Sequence, residues 1–378
     1  MDATIFRRDG IRGVFGEELV EEDAWKIGSA SAQFLRSLLT GYQRGQANAQ
    51  SLCVGRDMRS HSEALARALI EGMNAAGANV IDIGVVDTPQ MYFAINHLGT
   101  CGGVQVTGSH DALAYNGFKI SGLGAAPVGD DTGLKDIKHI AMALLHTKAS
   151  GHGVARERDL GGEYRNHVLK FMQSPKRRLK IAVDASNGMA GKLIPLVFSG
   201  LGLEILPLNF EHTGVFKHAP EPVAEENLGD LKAGVARNGC DFGFCFDGDA
   251  DRLVMVDESG ETVRCDLMTA LMVPYFLSAN PKSTVVYDLR SSRVVAEETI
   301  KHGGTPRRER AGHAFVRKAM RDSHAIFGGE LSGHFHYRDN YCTDSAAITV
   351  VHMINIIGQG DTPVSGLVRP LQRYRQSG

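Results

Sequence analysis

The sequence predicts an α/β protein made of three consecutive, related domains, each with a mixed sheet flanked by helices. Two observations carry that prediction. The first is size: 378 residues, 43% hydrophobic and 22% charged, are enough for two or three domains at about 150 residues each. The second is a recurring unit in which an apolar run ends at an aspartate, turns, and continues with helical periodicity. It occurs at residues 52–57 (LCVGRD), 181–188 (IAVDASNG) and 285–292 (VVYDLRSS). Asp57, Asp184 and Asp288 are 127 and 104 residues apart, a domain-sized interval rather than that of a solenoid. Any α/β protein contains several such turns, so the recurrence alone also suits a single larger α/β assembly.

Composition removes whole classes of function. Lys plus Arg number 41 against 43 for Asp plus Glu, a formal charge of −2, so no basic excess advertises nucleic acid or an anionic membrane. Six cysteines form no C-x-x-C pair, and the start MDATIFRRDG lacks a secretory apolar stretch, so reduced thiols in a cytoplasmic protein are expected. The most apolar tracts, at 269–277 and 346–357, fall short of the ~18 residues of a membrane span. The 44 glycines, about 12% against a usual ~7%, have no collagen-like period and point to many tight loops.

Along the chain, residues 1–150 are read as the first domain, 151–258 as the second and 259–365 as the third. Residues 366–378 are read as the start of a further one. The Gly-, Ser- and Lys-rich stretch 147–153 and the turn Asp257–Glu258–Ser259–Gly260 suggest the boundaries. Helical periodicity is clearest over 60–77. There Ser60 can cap, and Leu65, Ala68, Leu69 and Met73 share a face.

The sharpest chemical signal is Asp247–Gly248–Asp249–Ala250–Asp251–Arg252, set between apolar runs. Three carboxylates so close repel one another unless a hard divalent cation neutralises them, and alternate spacing turns all three toward one point, which suits Mg²⁺. A calcium loop of the EF-hand kind would need Gly where Arg252 stands, and helical rather than strand-like flanks. A solvated acidic turn without ligand is the remaining alternative.

A second signal, Thr107–Gly108–Ser109–His110–Asp111 followed by Tyr115–Asn116–Gly117–Phe118–Lys119, places a Ser on a tight loop with His110 and Lys119 nearby. These are the ingredients of a nucleophile or phosphate carrier, although the segment taken alone is better explained by a turn Ser bonding its own backbone beside an ordinary surface His. A third, Gly328–Gly329–Glu330–Leu331–Ser332–Gly333–His334, sets a carboxylate, a hydroxyl and an imidazole on a Gly-rich turn suited to sugar hydroxyls. Arg310–Ala311–Gly312–His313 and the N-terminal stretch 7–13, with Arg12, add cations in glycine-bearing turns of the kind that bind anions.

Taken in this order, the segments resemble the α-D-phosphohexomutase superfamily, most closely its phosphomannomutase/phosphoglucomutase branch. The resemblance implies a metal and phosphoserine cleft between the domains, with Ser109 phosphorylated and Asp247, Asp249, Asp251 and the Ser109 phosphate as Mg²⁺ ligands. It implies catalytic roles for Arg12, His110, Lys119 and His313. Substrate contacts would come from Arg252, Arg290, Gly312, His313, Glu330, Ser332 and His334. The implied activity interconverts hexose 1-phosphate and 6-phosphate, of mannose, glucose or both, through a hexose bisphosphate. A monomer or weak homo-oligomer is expected.

The chain departs from the family pattern in places. Gly108 replaces the usual Ala and Asp111–Ala112 replace Asn-Pro, changes expected to loosen the serine turn and add a negative charge. Arg290 stands where Lys is frequent, a planar fork of the same sign. No R-x-S-G-T-E-P-like loop of a fourth family domain occurs in the 378 residues, so the resemblance covers three family domains. Other readings of the same residues are a metal-dependent sugar-phosphate phosphatase, a non-catalytic sugar-phosphate binder, and a haloacid-dehalogenase-type enzyme with Asp247 as nucleophile.

Overall fold

Each aspartate-ended apolar run becomes a strand with a parallel neighbour on either side, and three separate mixed sheets result. The computed structural model describes residues 1–8, 10–145 and 153–374. Asp9, most of the connection expected at 147–153 and the last four residues therefore lie outside the described residues. The chain divides into two compact units, Met1–Tyr164 with His212–Val215, and Arg165–Glu211 with Phe216–Gly378.

The first unit holds a seven-stranded sheet in the order Phe6–Arg7, Gly10–Val14, Tyr115–Gly122, Gly102–Val106, Leu52–Arg56, Val80–Val85, Ala155–Glu157. Leu52–Arg56 runs parallel to both neighbours, whereas Gly102–Val106 and Tyr115–Gly122 pair antiparallel. The helices Glu21–Ser37 and Ser62–Ala75 approach backbone to backbone: a Cβ on Gly28 would lie 2.1 Å from the Leu69 carbonyl oxygen, and one on Gly72 1.9 Å from that of Trp25. Leu65, Ala68, Leu69 and Met73 are buried as their period requires. Ser60 does not cap this helix. Its start is held instead by Ser62, whose hydroxyl donates to Asp57 at 2.5 Å.

The second unit contains two five-stranded sheets. One runs Thr262–Val263, Leu253–Asp257, Phe242–Phe246, Lys180–Asp184, Glu204–Leu208; the other runs Thr305–Glu309, Thr284–Asp288, Phe327–Gly329, Phe335–Tyr337, Thr343–Asp344. The turn at 257–260 joins two strands of the first of these. The apolar tracts at 269–277 and 346–357 form the helices Cys265–Ala279 and Ala346–Ile357, both largely buried. All six cysteines are free thiols, five of them buried and Cys342 half-buried. No helix among the described residues is long and apolar enough to cross a membrane.

The same local plan recurs in each sheet. A strand parallel to the aspartate-ended one leads into a loop and returns as its antiparallel neighbour. Those loops are 107–114, 247–252 and 330–334, the three chemical segments of the sequence. They lie off the C-terminal ends of parallel strands, where open α/β sheets place their ligands.

Candidate active site

The serine loop is held by a buried cation. Ser109 is 4% exposed and adopts φ 51°, a left-handed conformation that costs a side-chain-bearing residue about 1–2 kcal/mol. Its N–H donates to Thr107 Oγ1 at 2.8 Å, its hydroxyl lies 3.4 Å from His110 Nδ1, and its carbonyl accepts from Arg59 Nη2 at 3.1 Å. Arg59 also donates to the carbonyls of Asp111 (2.7 Å), Ala112 (2.7 Å) and Tyr115 (3.0 Å), and to Asp57 (3.2 Å).

This hub overturns the expectation that Gly108 loosens the turn. A Cβ there would lie 2.5 Å from Arg59 Cζ, so the small residue makes room for the guanidinium that clamps the loop. Asp57 adds a bond from Gly108 N–H at 3.2 Å. Arg12 reaches the same loop, with Nε 3.6 Å from Asp111 Oδ2, so the added charge of Asp111 has a cation beside it. Arg12 pairs with Gly117 across the strands, and Lys119 lies two residues further along on the same face.

In the second unit Asp247, Asp249 and Asp251 are all buried, and one oxygen from each falls within 4.8 Å of the others. Asp247 Oδ1 accepts from the N–H groups of Asp251 and Arg252, both at 3.1 Å, which curls the loop around the cluster. Three hard oxygen donors on a pre-formed loop fit a small divalent cation. Arg252, expected to contact the substrate, makes internal pairs: Nε donates to Asp247 at 3.0 Å and the two terminal nitrogens to Glu221 at 3.1 and 3.4 Å.

The sugar-type loop lies beside these acids within the same unit. Leu253 N–H donates to the Gly333 carbonyl at 3.2 Å, and His334 Nε2 stands 3.5 Å from Asp251 Oδ1. Burial disfavours the His334 imidazolium, but Asp251 opposite outweighs it and raises the imidazole to about 9. Ser332 Oγ lies 3.0 Å from His334 Nδ1, and the His313 and His334 rings are 5.9 Å apart. Asp288 accepts from Leu331 N–H at 3.2 Å and from Arg290 at 2.9 and 3.2 Å, tying Arg290 to the loop.

Glu330, expected as a substrate contact, is enclosed by polar partners. It is 1% exposed, Oε2 accepts from Gly312 N–H at 2.9 Å and Oε1 from His336 Nε2–H at 2.9 Å. Burial alone would raise its carboxyl; the bond from His336 and the charges of His334, His336 and His313 hold it down at about 2.

Family models settle the lineage. Those for the phosphoglucomutase/phosphomannomutase alpha/beta/alpha domains I, II and III match residues 3–145, 162–260 and 265–374. The chain belongs to the phosphoglucomutase/phosphomannomutase family. It is 34% identical to a phosphomannomutase of Escherichia coli K12 over 375 residues, covering 97% of this chain and 80% of that protein. It is 32% identical to a phosphoglucomutase of Neisseria meningitidis, covering 95% and 76%. A crystal structure of a family protein from Burkholderia thailandensis superposes with a TM-score of 0.89 at 32% identity, covering 99% of this chain and 80% of the other.

Against this family frame, each unit assembles its own predicted residues. Ser109, His110, Arg12 and Lys119 share the first; Asp247, Asp249, Asp251, Arg252, Arg290, Gly312, His313, Glu330, Ser332 and His334 share the second. Sequence reasoning does not reach Arg59, His61, His336 or Asp344. His61 stacks on Phe15 at 4.7 Å and bonds Asn116 and the Leu113 carbonyl behind the serine loop. Asp57, the first of the three recurring aspartates, was the one available pointer to Arg59, two residues on.

Proposed function

We propose that the chain is a phosphohexomutase that interconverts hexose 1-phosphate and hexose 6-phosphate through a phosphoserine at Ser109 and a hexose bisphosphate. The observation that carries this reading is the recurrence of one loop position in three sheets, where successive domains of a mutase family present a serine, a triple carboxylate and a hydroxyl–imidazole pair.

Phosphoryl transfer asks a protein mainly for in-line positioning and charge neutralisation. The P–O bond to Ser109 Oγ breaks as a P–O bond forms to a sugar hydroxyl; the hydroxyl proton passes to a nearby base, with His313 and Lys119 as candidates. The reverse transfer then acts on the other phosphate of the reoriented bisphosphate: its P–O bond to the sugar breaks as one forms to Ser109 Oγ, the serine proton passes to a base and the sugar oxygen takes a proton back, which restores the phosphoserine. Asp247, Asp249 and Asp251 would hold Mg²⁺, which when bound supplies positive charge to the phosphoryl oxygens. Arg12 neutralises the approaching anion. Ser332, His334 and Arg290 meet the sugar and its second phosphate. Arg252 is assigned to holding the metal loop in shape.

Intact mass and a coupled assay test the proposal together. Purified protein treated with glucose 1,6-bisphosphate is expected to gain one phosphate that Ser109→Ala abolishes, and to convert glucose 1-phosphate or mannose 1-phosphate to the 6-phosphate. Release of inorganic phosphate without isomerisation would instead establish a phosphatase; a phosphate retained in Ser109→Ala would remove Ser109 as carrier.

A further inference from the structure

His336 occupies a place where a sheet calls for an apolar residue. It is the central residue of the strand Phe335–Tyr337, is fully buried, and has Phe335 and Tyr337, both buried, on either side. An imidazole in such a position costs desolvation unless it is hydrogen-bonded. Its Nε2–H has one partner, Glu330 Oε1 at 2.9 Å, and its Nδ1 faces Asp344 Oδ2 at 4.0 Å across the neighbouring strand.

Glu330 passes that restraint on. Its second oxygen takes the N–H of Gly312 at 2.9 Å, and Gly312, at φ 124°, is the residue from which the helix His313–Ser323 starts. The carboxylate thus ties the 310–313 turn, with His313 at its end, to the loop bearing Ser332 and His334. A carboxylate rotates freely about its last bond. With Oε1 held by a rigid strand, Oε2 has one direction to point.

We propose that His336 is a positioning residue for this site: its Nε2–H fixes the Glu330 carboxylate, and through it the Gly312–His313 turn against the sugar loop. The inference rests on the reading of 310–313 and 330–334 as the sugar-binding face.

Two variants test it. His336→Phe keeps size and shape but removes the donor, while His336→Gln keeps a donor at similar reach. For His336→Phe the KM for glucose 1-phosphate is expected to rise roughly tenfold, the worth of one charge-assisted hydrogen bond, with kcat changed less than about threefold and with phosphorylation of Ser109 retained. His336→Gln is expected to recover most of the loss. A packing role predicts no such rescue, so equal impairment of both variants, or a wild-type KM in His336→Phe, overturns the proposal.

Direct titration with glucose 1-phosphate reads the same tenfold change in Kd. If wild-type protein binds the sugar phosphate but shows no mutase turnover, the proposed activity fails while the His336 claim is still decided by those affinities. Should His336→Phe not fold, imidazole ¹⁵N NMR of the wild-type protein decides it. A protonated Nε2 supports the hydrogen bond to Glu330, and an unprotonated Nε2 excludes it.

Discussion

The N–H of Leu253 donates to the carbonyl of Gly333 at 3.2 Å, a backbone bond that joins the end of the triple-aspartate loop to the middle of the sugar loop. Two sheets of the second unit are stitched at this point, and His334 is carried to Asp251. The triple-aspartate loop and the Glu330–His334 loop therefore share one backbone framework.

Gly333 has φ 91°, and a Cβ on it would stand 2.8 Å from the Leu253 carbonyl oxygen, a rigid backbone atom. Gly333→Ala is expected to cost about 1–3 kcal/mol through strain and displacement of the loop. Denaturant unfolding measures that cost, and a Mn²⁺ titration should show weaker binding even though no carboxylate has been altered. Wild-type values for both would disprove the coupling.

Arg59 and Asp57 form a pair whose side chains are 0% and 1% exposed. Arg59→Met leaves a buried carboxylate without its cation and is expected to destabilise the first unit by about 3–5 kcal/mol. Arg59→Lys should not restore the loop, because an ammonium cannot span four carbonyls and a carboxylate at once. Phosphate incorporation at Ser109, followed by mass spectrometry, should fall in both variants.

Asp249 is buried among like charges. In chelator, Asp249→Asn is expected to match or exceed wild-type stability, because removing one carboxylate relieves repulsion. In saturating Mg²⁺ the order should reverse, since the wild type gains about 2.7 kcal/mol at a hundredfold excess over Kd and the variant gains less. Thermal melts with and without Mg²⁺ read both signs; the same order in each condition would count against a cation at this loop.

His218, which is not among the predicted site residues, offers a pH test. Burial disfavours its imidazolium, but the hydrogen bond and charge of Asp184 at 3.1 Å, the Ala219 carbonyl at 2.9 Å and the more distant Asp230 raise its pKa above the ordinary 6.5. A raised folded value means the stabilisation is complete below about pH 6.5 and is lost as pH rises through the folded value. The stability difference between wild type and His218→Gln, about 1–2 kcal/mol at pH 6, should therefore shrink toward pH 9. A difference constant across that range would show that His218 is neutral.

Much of the site was legible because its chemistry is contiguous. A triple aspartate, a Gly-Ser-His turn and a Gly-Glu-Leu-Ser-Gly-His loop each announce themselves within six residues, since strand-to-strand connections carry their functional groups on short local stretches. Arg59 stayed silent because the carbonyls it gathers lie 50 to 56 residues further along the chain. Glu330 was legible as a polar group of its loop, but the residues that enclose it, Gly312 and His336, come from a different turn and a different strand.

By itself the sequence determined three α/β domains, their aspartate-ended strands and the chemical type of each loop, because alternation, glycine placement and clustered charge act over a few residues. Only the tertiary structure decided which donors those groups face: that Gly108 yields its space to Arg59, that Arg252 braces Asp247 against Glu221, and that His336 holds Glu330. Hydrogen bonds inside a buried framework depend on side chains distant in sequence arriving within 3 Å, and no local pattern encodes that arrival.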